Sequence, residues 1–133
     1  MKLVTYIKDE HEQLGVLIDE LIYDMDVLHP DLPNSMNMFL TYWEDSFPIA
    51  QAGELLLREG TRATSKNIPV KDVQLIAPVP FPSSCRDGYA FRQHVAAARR
   101  NRNADMIPEF DQYPIFYFTN HNGIIGEGDV IVE

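Results

Sequence analysis

A single cysteine, Cys85, stands in 133 residues. A lone thiol cannot close an intramolecular disulfide, so a cysteine-stapled scaffold is excluded and a reducing compartment is expected. Positive charge is scarce too. Eleven Lys and Arg stand against twenty Asp and Glu, for a formal net charge of −9 at pH 7, and such a chain repels phosphate backbones, so nucleic acid is not an expected partner. Long apolar runs are missing as well: no stretch approaches the ~18 apolar residues of a membrane-spanning helix. In the opening MKLVTYIKDEHEQ, Lys8, Asp9 and Glu10 occupy the place where a secretory leader needs its apolar stretch. The expectation is a cytoplasmic protein with no membrane partner. His11, His29 and His121 are scattered, without C-x-x-C or H-E-x-x-H spacing, so no zinc site is indicated. GIIGEG lacks the strand-to-helix setting of a nucleotide-binding loop. The length allows about one domain and one modest core.

What is present reads as an α+β chain. In KLVTYI, Leu3, Thr5 and Ile7 alternate with Val4 and Tyr6, which predicts a strand. QLGVLIDELIYDMD adds one or two strands around a turn at Asp19 and Glu20. Two helical periods follow. Met36, Phe39, Leu40 and Trp43 recur at i, i+3, i+4, i+7 behind Asn34 or Ser35 as N-cap. A second helix is predicted from Ser46 as cap, with Pro48 in its first turn, Ile49, Ala52 and Leu56 on its inner face, and Gly60 as its stop. Residues 1–72 thus form a small N-terminal sheet with two helices. Val73, Leu75 and Ala77 then alternate as an edge strand does. Pro78, Pro80 and Pro82 enforce an extended crossing, so residues 73–86 read as a Pro-rich linker.

Residues 88–100 read as a helix with Phe91, Val95 and Ala98 inward, followed by an aromatic strand, a turn at Asn120 to Gly123 and a last strand broken by Gly126 and Gly128. Because the chain stops on DVIVE within a strand-like pattern, residues 87–133 are expected to begin a larger β-rich domain. Strands without partners predict exposed edges and self-association.

Asp87 and His94 are seven apart, close to two helical turns, which predicts side chains on one face about ten ångströms apart along the axis. An aspartate oxygen suits Mg²⁺ or Ca²⁺, and histidine is the most frequent general base. The same residues also read as a helix N-cap and a plain surface histidine. Arg99, Arg100 and Arg102 form the one dense positive cluster, either a solvated helix end or a carboxylate-binding fork.

The stretch LIAPVPFPSSCRDGYAFRQHVAAARRNRNADMIPEFDQYPIFYFTNHNGIIGEGD, residues 75–129, resembles the fumarylacetoacetate hydrolase family. The family's L-x-A-P-V-P-x-P approach, its aspartate before Y-A-F-x-x-H-V, and its P-E-aromatic and P-x-F-Y-F-x-N segments stand here in order. The resemblance extends over the whole chain, with residues 75–120 its specific part. It implies that Asp87 is a ligand of Mg²⁺ or Ca²⁺, that His94 activates water, that Tyr117 contacts substrate and that Arg100 binds the substrate carboxylate. Arg99 or Arg102 takes the last role if the alignment shifts slightly. It further implies hydrolysis of a carbon–carbon bond in fumarylacetoacetate or a related acylpyruvate, a diketo acid, and assembly as a homodimer. Gly88, Asn103 and Phe110 depart from the commoner family residues. The family's Glu-x-Glu motif, its later aspartate ligand and the glutamate that orients the histidine have no counterpart in these residues. The expected identity is the N-terminal portion of such a hydrolase, inactive until joined by a C-terminal catalytic region, or else a truncated non-catalytic homologue or association module.

Overall fold

The computed structural model describes residues 1–128 of the chain. The fold is mixed α+β, and the described chain divides into two compact units: Met1–Phe81 with residues 124–128, and Pro82–Gly123. Among the described residues no helix is long and apolar enough to cross a membrane.

In the first unit, β1 (Leu3–Lys8) and β2 (His11–Ile18) form a hairpin closed by Asp9 and Glu10, both at positive φ. Paired positive-φ positions match the right-handed twist of the flanking strands. A second tight turn at Asp19 and Glu20 leads into β3 (Leu21–Asp24), so the predicted meander is present. Two short strands complete the sheet: β4 (Ile68–Pro69), which the sequence pattern does not predict, and β5 (Gln74–Leu75), the anticipated edge strand. All pairings are antiparallel in the order β4-β3-β2-β1-β5.

One sheet face carries Leu14, Val16 and Ile18, which share a core with residues of α1 (Met25–Leu28), α2 (Met36–Thr41) and α3 (Trp43–Arg58). Thr5 lies on this face and satisfies its buried hydroxyl by donating to the Pro78 carbonyl at 2.8 Å. Tyr6 lies on the opposite face, fully buried, and its phenol donates to Asp24 Oδ1 while Lys8 Nζ holds Asp24 Oδ2 at 2.7 Å. The bare Cα of Gly15 leaves room for this arrangement: a Cβ there would stand 2.6 Å from Ile22 Cγ2 and 3.4 Å from the Tyr6 ring.

The helices correct the sequence reading in detail. Ser35 caps α2 as expected, accepting from the Met38 amide. Ser46 is no cap: it is buried inside α3, which starts at Trp43 behind Tyr42. The inward face is Ala50, Gly53, Glu54 and Leu57, whereas Ile49 and Ala52 are exposed. Close approach of α3 to α1 selects that narrow face, since a Cβ on Gly53 would meet Leu28 Cβ at 2.8 Å. Trp43 is half-exposed, stacked on Phe47 at 4.4 Å. Gly60, at φ +70°, ends the helix as predicted.

In the second unit, β6 (Cys85–Gly88) pairs antiparallel with β7 (Phe116–Thr119), and α4 (Arg92–Arg100) with a 3₁₀ turn at Pro108–Asp111 lies between them in sequence. The helix predicted from residue 88 therefore starts at Arg92. Val95 is buried as expected, but Phe91 is 81% exposed. The turn at Asn120–Gly123 is present as a 3₁₀ turn at His121–Gly123. No strand forms over residues 124–128, and the remainder of the last predicted strand lies outside the described residues.

Candidate functional site

The site is built on the β6–β7 register. Asp87 stands directly opposite Tyr117, and Arg86 opposite Phe118. Alternation along a strand sends neighbours to opposite faces, so one face carries Asp87 with Tyr117 and the other carries Arg86 with Phe116 and Phe118. Across the first face the Tyr117 phenol donates to Asp87 Oδ2 at 2.7 Å. That hydrogen bond, then the carboxylate charge, raises the Tyr117 pKa above the ordinary tyrosine value. Proton loss would put two negative charges face to face, so the phenol stays a donor. On the second face the Arg86 guanidinium sits over Phe116 and Phe118, 5.5 and 5.3 Å from their centroids.

Beyond Gly88 the pairing continues with the Tyr89 amide on the Ile115 carbonyl at 3.0 Å, and a tight turn then delivers the chain into α4. Asp87 is thus a strand residue. The helical spacing argument for Asp87 and His94 does not apply, nor does a capping role for Asp87, because Phe91 holds the N-cap position without a side-chain bond. A cleft of about 510 Å³ nevertheless gathers both residues. Asp87, His94, Tyr117 and Arg102 line it, and Phe91 and Phe116 also belong to its lining. His94 is exposed there, its ring edge-on to Tyr89 with centroids 6.3 Å apart.

Of the three clustered arginines, Arg102 lines the cleft. Arg99 is engaged by the Asp105 carbonyl, which accepts from its Nε. Arg100 is exposed at the end of α4 and lies outside the cleft lining. Asn103, at φ +52°, turns the chain where the helix ends. Sequence reasoning overlooked Tyr89 and the pair Arg92 and Asp111, nineteen positions apart, for which no local pattern gives a signal. Among the described residues no group of three or more His, Cys, Asp or Glu converges to hold a metal ion.

No family model matches the chain. It is similar to the Fumarylacetoacetate hydrolase domain-containing protein 2 homolog of Dictyostelium discoideum, with 26% identity over 136 residues. The match takes in all of this chain and 40% of the relative's length. This is a weak and partial resemblance to a protein containing a fumarylacetoacetate hydrolase domain.

Proposed function

We propose that this chain carries part of the catalytic site of a cytoplasmic hydrolase that cleaves a carbon–carbon bond in fumarylacetoacetate or a related acylpyruvate. The observation that supports this most is the convergence of Asp87, His94, Tyr117 and an arginine on one cleft, the residue types that the weak kinship leads one to seek. His94 takes a proton from water as the water oxygen adds to a substrate carbonyl, and the carbon–carbon bond then breaks with its electron pair left in an enolate. Tyr117, kept protonated by Asp87, donates a hydrogen bond toward developing negative charge. An arginine receives the substrate carboxylate through its two-pronged guanidinium: Arg100 by alignment, or Arg102 by its place in the cleft.

Mg²⁺ or Ca²⁺ would hold the dicarbonyl in such an enzyme. These cations take about six or more oxygen ligands. Among the described residues Asp87 is the one carboxylate that lines the cleft, so these residues do not by themselves fit a metal and the cation enters none of the steps above. In this proposal the other ligands come from a C-terminal catalytic region, and the complete enzyme is a homodimer. The single carboxylate also favours a second reading, a non-catalytic homologue or association module.

The test has two parts. Nuclear magnetic resonance of the 133-residue chain with an acylpyruvate should shift the signals of His94 and Tyr117, and Arg102→Ala should weaken that response more than Arg100→Ala. Loss of acylpyruvate ultraviolet absorbance should be absent for this chain with Mg²⁺, present once a region supplying the Glu-x-Glu carboxylates is joined to it, and abolished there by His94→Ala. A cleft that ignores the diketo acid, or a completed enzyme indifferent to His94→Ala, would sink the proposal.

A further inference from the structure

α4 begins without the devices that usually hold a first helical turn. Its N-cap, Phe91, makes no side-chain bond, and no acidic residue stands in the first turn. A helix of nine residues is marginal on propensity alone. His94 nevertheless belongs to this turn, and two routes reach the turn from Pro108–Asp111. Arg92 forms a two-pronged pair with Asp111, Nε to Oδ1 at 2.9 Å and Nη2 to Oδ2 at 3.2 Å. Phe110, the neighbour of Asp111, meets Tyr89 edge-on at 6.5 Å, and Tyr89 in turn meets His94 edge-on at 6.3 Å.

An exposed ion pair contributes little to stability, and these side chains are 59% and 56% exposed. What a fork of two parallel N–H···O bonds supplies is direction, because it fixes the plane of the guanidinium and with it the rotation of the turn that bears Arg92. The aromatic chain supplies a second constraint. Rings at these separations prefer edge-to-face geometry, so Phe110 limits where Tyr89 sits and Tyr89 limits the His94 ring.

We propose that Asp111 and Phe110 are positioning residues for His94: acting through Arg92 and Tyr89, the 3₁₀ turn Pro108–Asp111 sets the orientation of the imidazole at the cleft. The inference rests on His94 as the general base for its functional meaning, but its geometric content stands apart from catalysis. The experiment uses the ring-proton signals of His94 in the 133-residue chain, which the Tyr89 ring current displaces from the values of an unstructured histidine. Asp111→Ala and Phe110→Leu, both of which leave Tyr89 and His94 in place, should each move those signals toward the unstructured values. The exchanged pair, Arg92→Asp with Asp111→Arg, should restore them. Lowered melting temperature with unmoved His94 signals in both single variants would overturn the proposal, since that is what a merely structural role produces. So would failure of the exchanged pair to restore signals that Asp111→Ala had moved. If the signals move as expected but a completed enzyme is indifferent to His94→Ala, positioning stands and the catalytic reading falls.

Discussion

Tyr117 and Asp87 occupy opposite places in the β6–β7 register, and the phenol of one donates to the carboxylate of the other at 2.7 Å. The pair makes Tyr117 harder to ionise, first through the hydrogen bond and then through the carboxylate charge. A group whose folded pKa is raised contributes stability that is full below its unfolded value, about 10 for tyrosine, and is lost as pH rises through the raised value. The prediction concerns the titration itself. Followed by the carbon-13 signal of its ring, Tyr117 should ionise above the ordinary range, and Asp87→Asn should bring it back. Ordinary titration in the unaltered chain would show that the pair does not persist in solution.

A stronger effect is expected at Tyr6, whose side chain is fully buried. Its pKa is raised by burial first, then by the hydrogen bond to Asp24 and by the charges of Asp24 and Asp26. Lys8 is raised too, chiefly by its bond to Asp24. Tyr6→Phe keeps the ring and the Lys8–Asp24 pair and removes one hydrogen bond to a charged group, a loss of about 1.5–3 kcal/mol. Urea unfolding at pH 7 should show it. The raised Tyr6, which only the unaltered protein has, places its pH-dependent loss above about pH 10, so the gap between the two proteins should narrow there. Equal urea midpoints at pH 7 would count against the assigned bond.

Much of the first unit was legible because its signals are local. The Leu3–Ile7 alternation, the turn at Asp19 and Glu20, the Ser35 cap and the Gly60 stop each depend on a few consecutive residues. The second unit was harder to read. β6 is Cys-Arg-Asp-Gly, a run with little strand propensity, and it becomes a strand by pairing with the aromatic segment some thirty positions on. That non-local pairing moved Asp87 from a helix start to a strand. The face of α3 was misjudged for a related reason, since Gly53 faces inward through contact with Leu28, which periodicity does not reveal. Tyr117 was singled out by resemblance, but its bond to Asp87 follows from register. For the Arg92–Asp111 pair the sequence offered nothing.

Gly53 yields a prediction in which two effects oppose. Replacing an interior helix glycine by alanine ordinarily stabilises by about 1 kcal/mol. Here the new Cβ would stand 2.8 Å from Leu28 Cβ and 3.0 Å from Leu28 O, and these atoms belong to or adjoin backbone and cannot swing aside. Overpacking costs about 1–3 kcal/mol, so Gly53→Ala should destabilise. Thermal melting beside Gly60→Ala, which is strained at φ +70° but meets no atom within 4 Å, separates close approach from backbone strain. A stabilised Gly53→Ala protein would mean that α1 and α3 lie farther apart.

The last prediction follows from counting oxygens at the cleft. Among the described residues Asp87 is the one carboxylate lining it, and its Oδ2 already accepts from Tyr117. A Mg²⁺ ion demands near-octahedral oxygen coordination and gives up water reluctantly, so a single aspartate leaves it mostly hydrated and mobile. A mobile cation cannot preorganise charge against a dicarbonyl. The 133-residue chain should therefore bind Mg²⁺ or Ca²⁺ no more tightly than about 1 mM, the weak end of the range for protein calcium sites. Calorimetric titration with each chloride salt measures this, and Asp87→Asn identifies any contribution from the cleft. Joining a region that supplies further carboxylates should tighten binding in a way that Asp87→Asn largely reverses. Micromolar binding by the 133-residue chain that survives Asp87→Asn would place a cation site elsewhere in the molecule, and micromolar binding lost with Asp87 would mean that this cleft assembles ligands from a second copy.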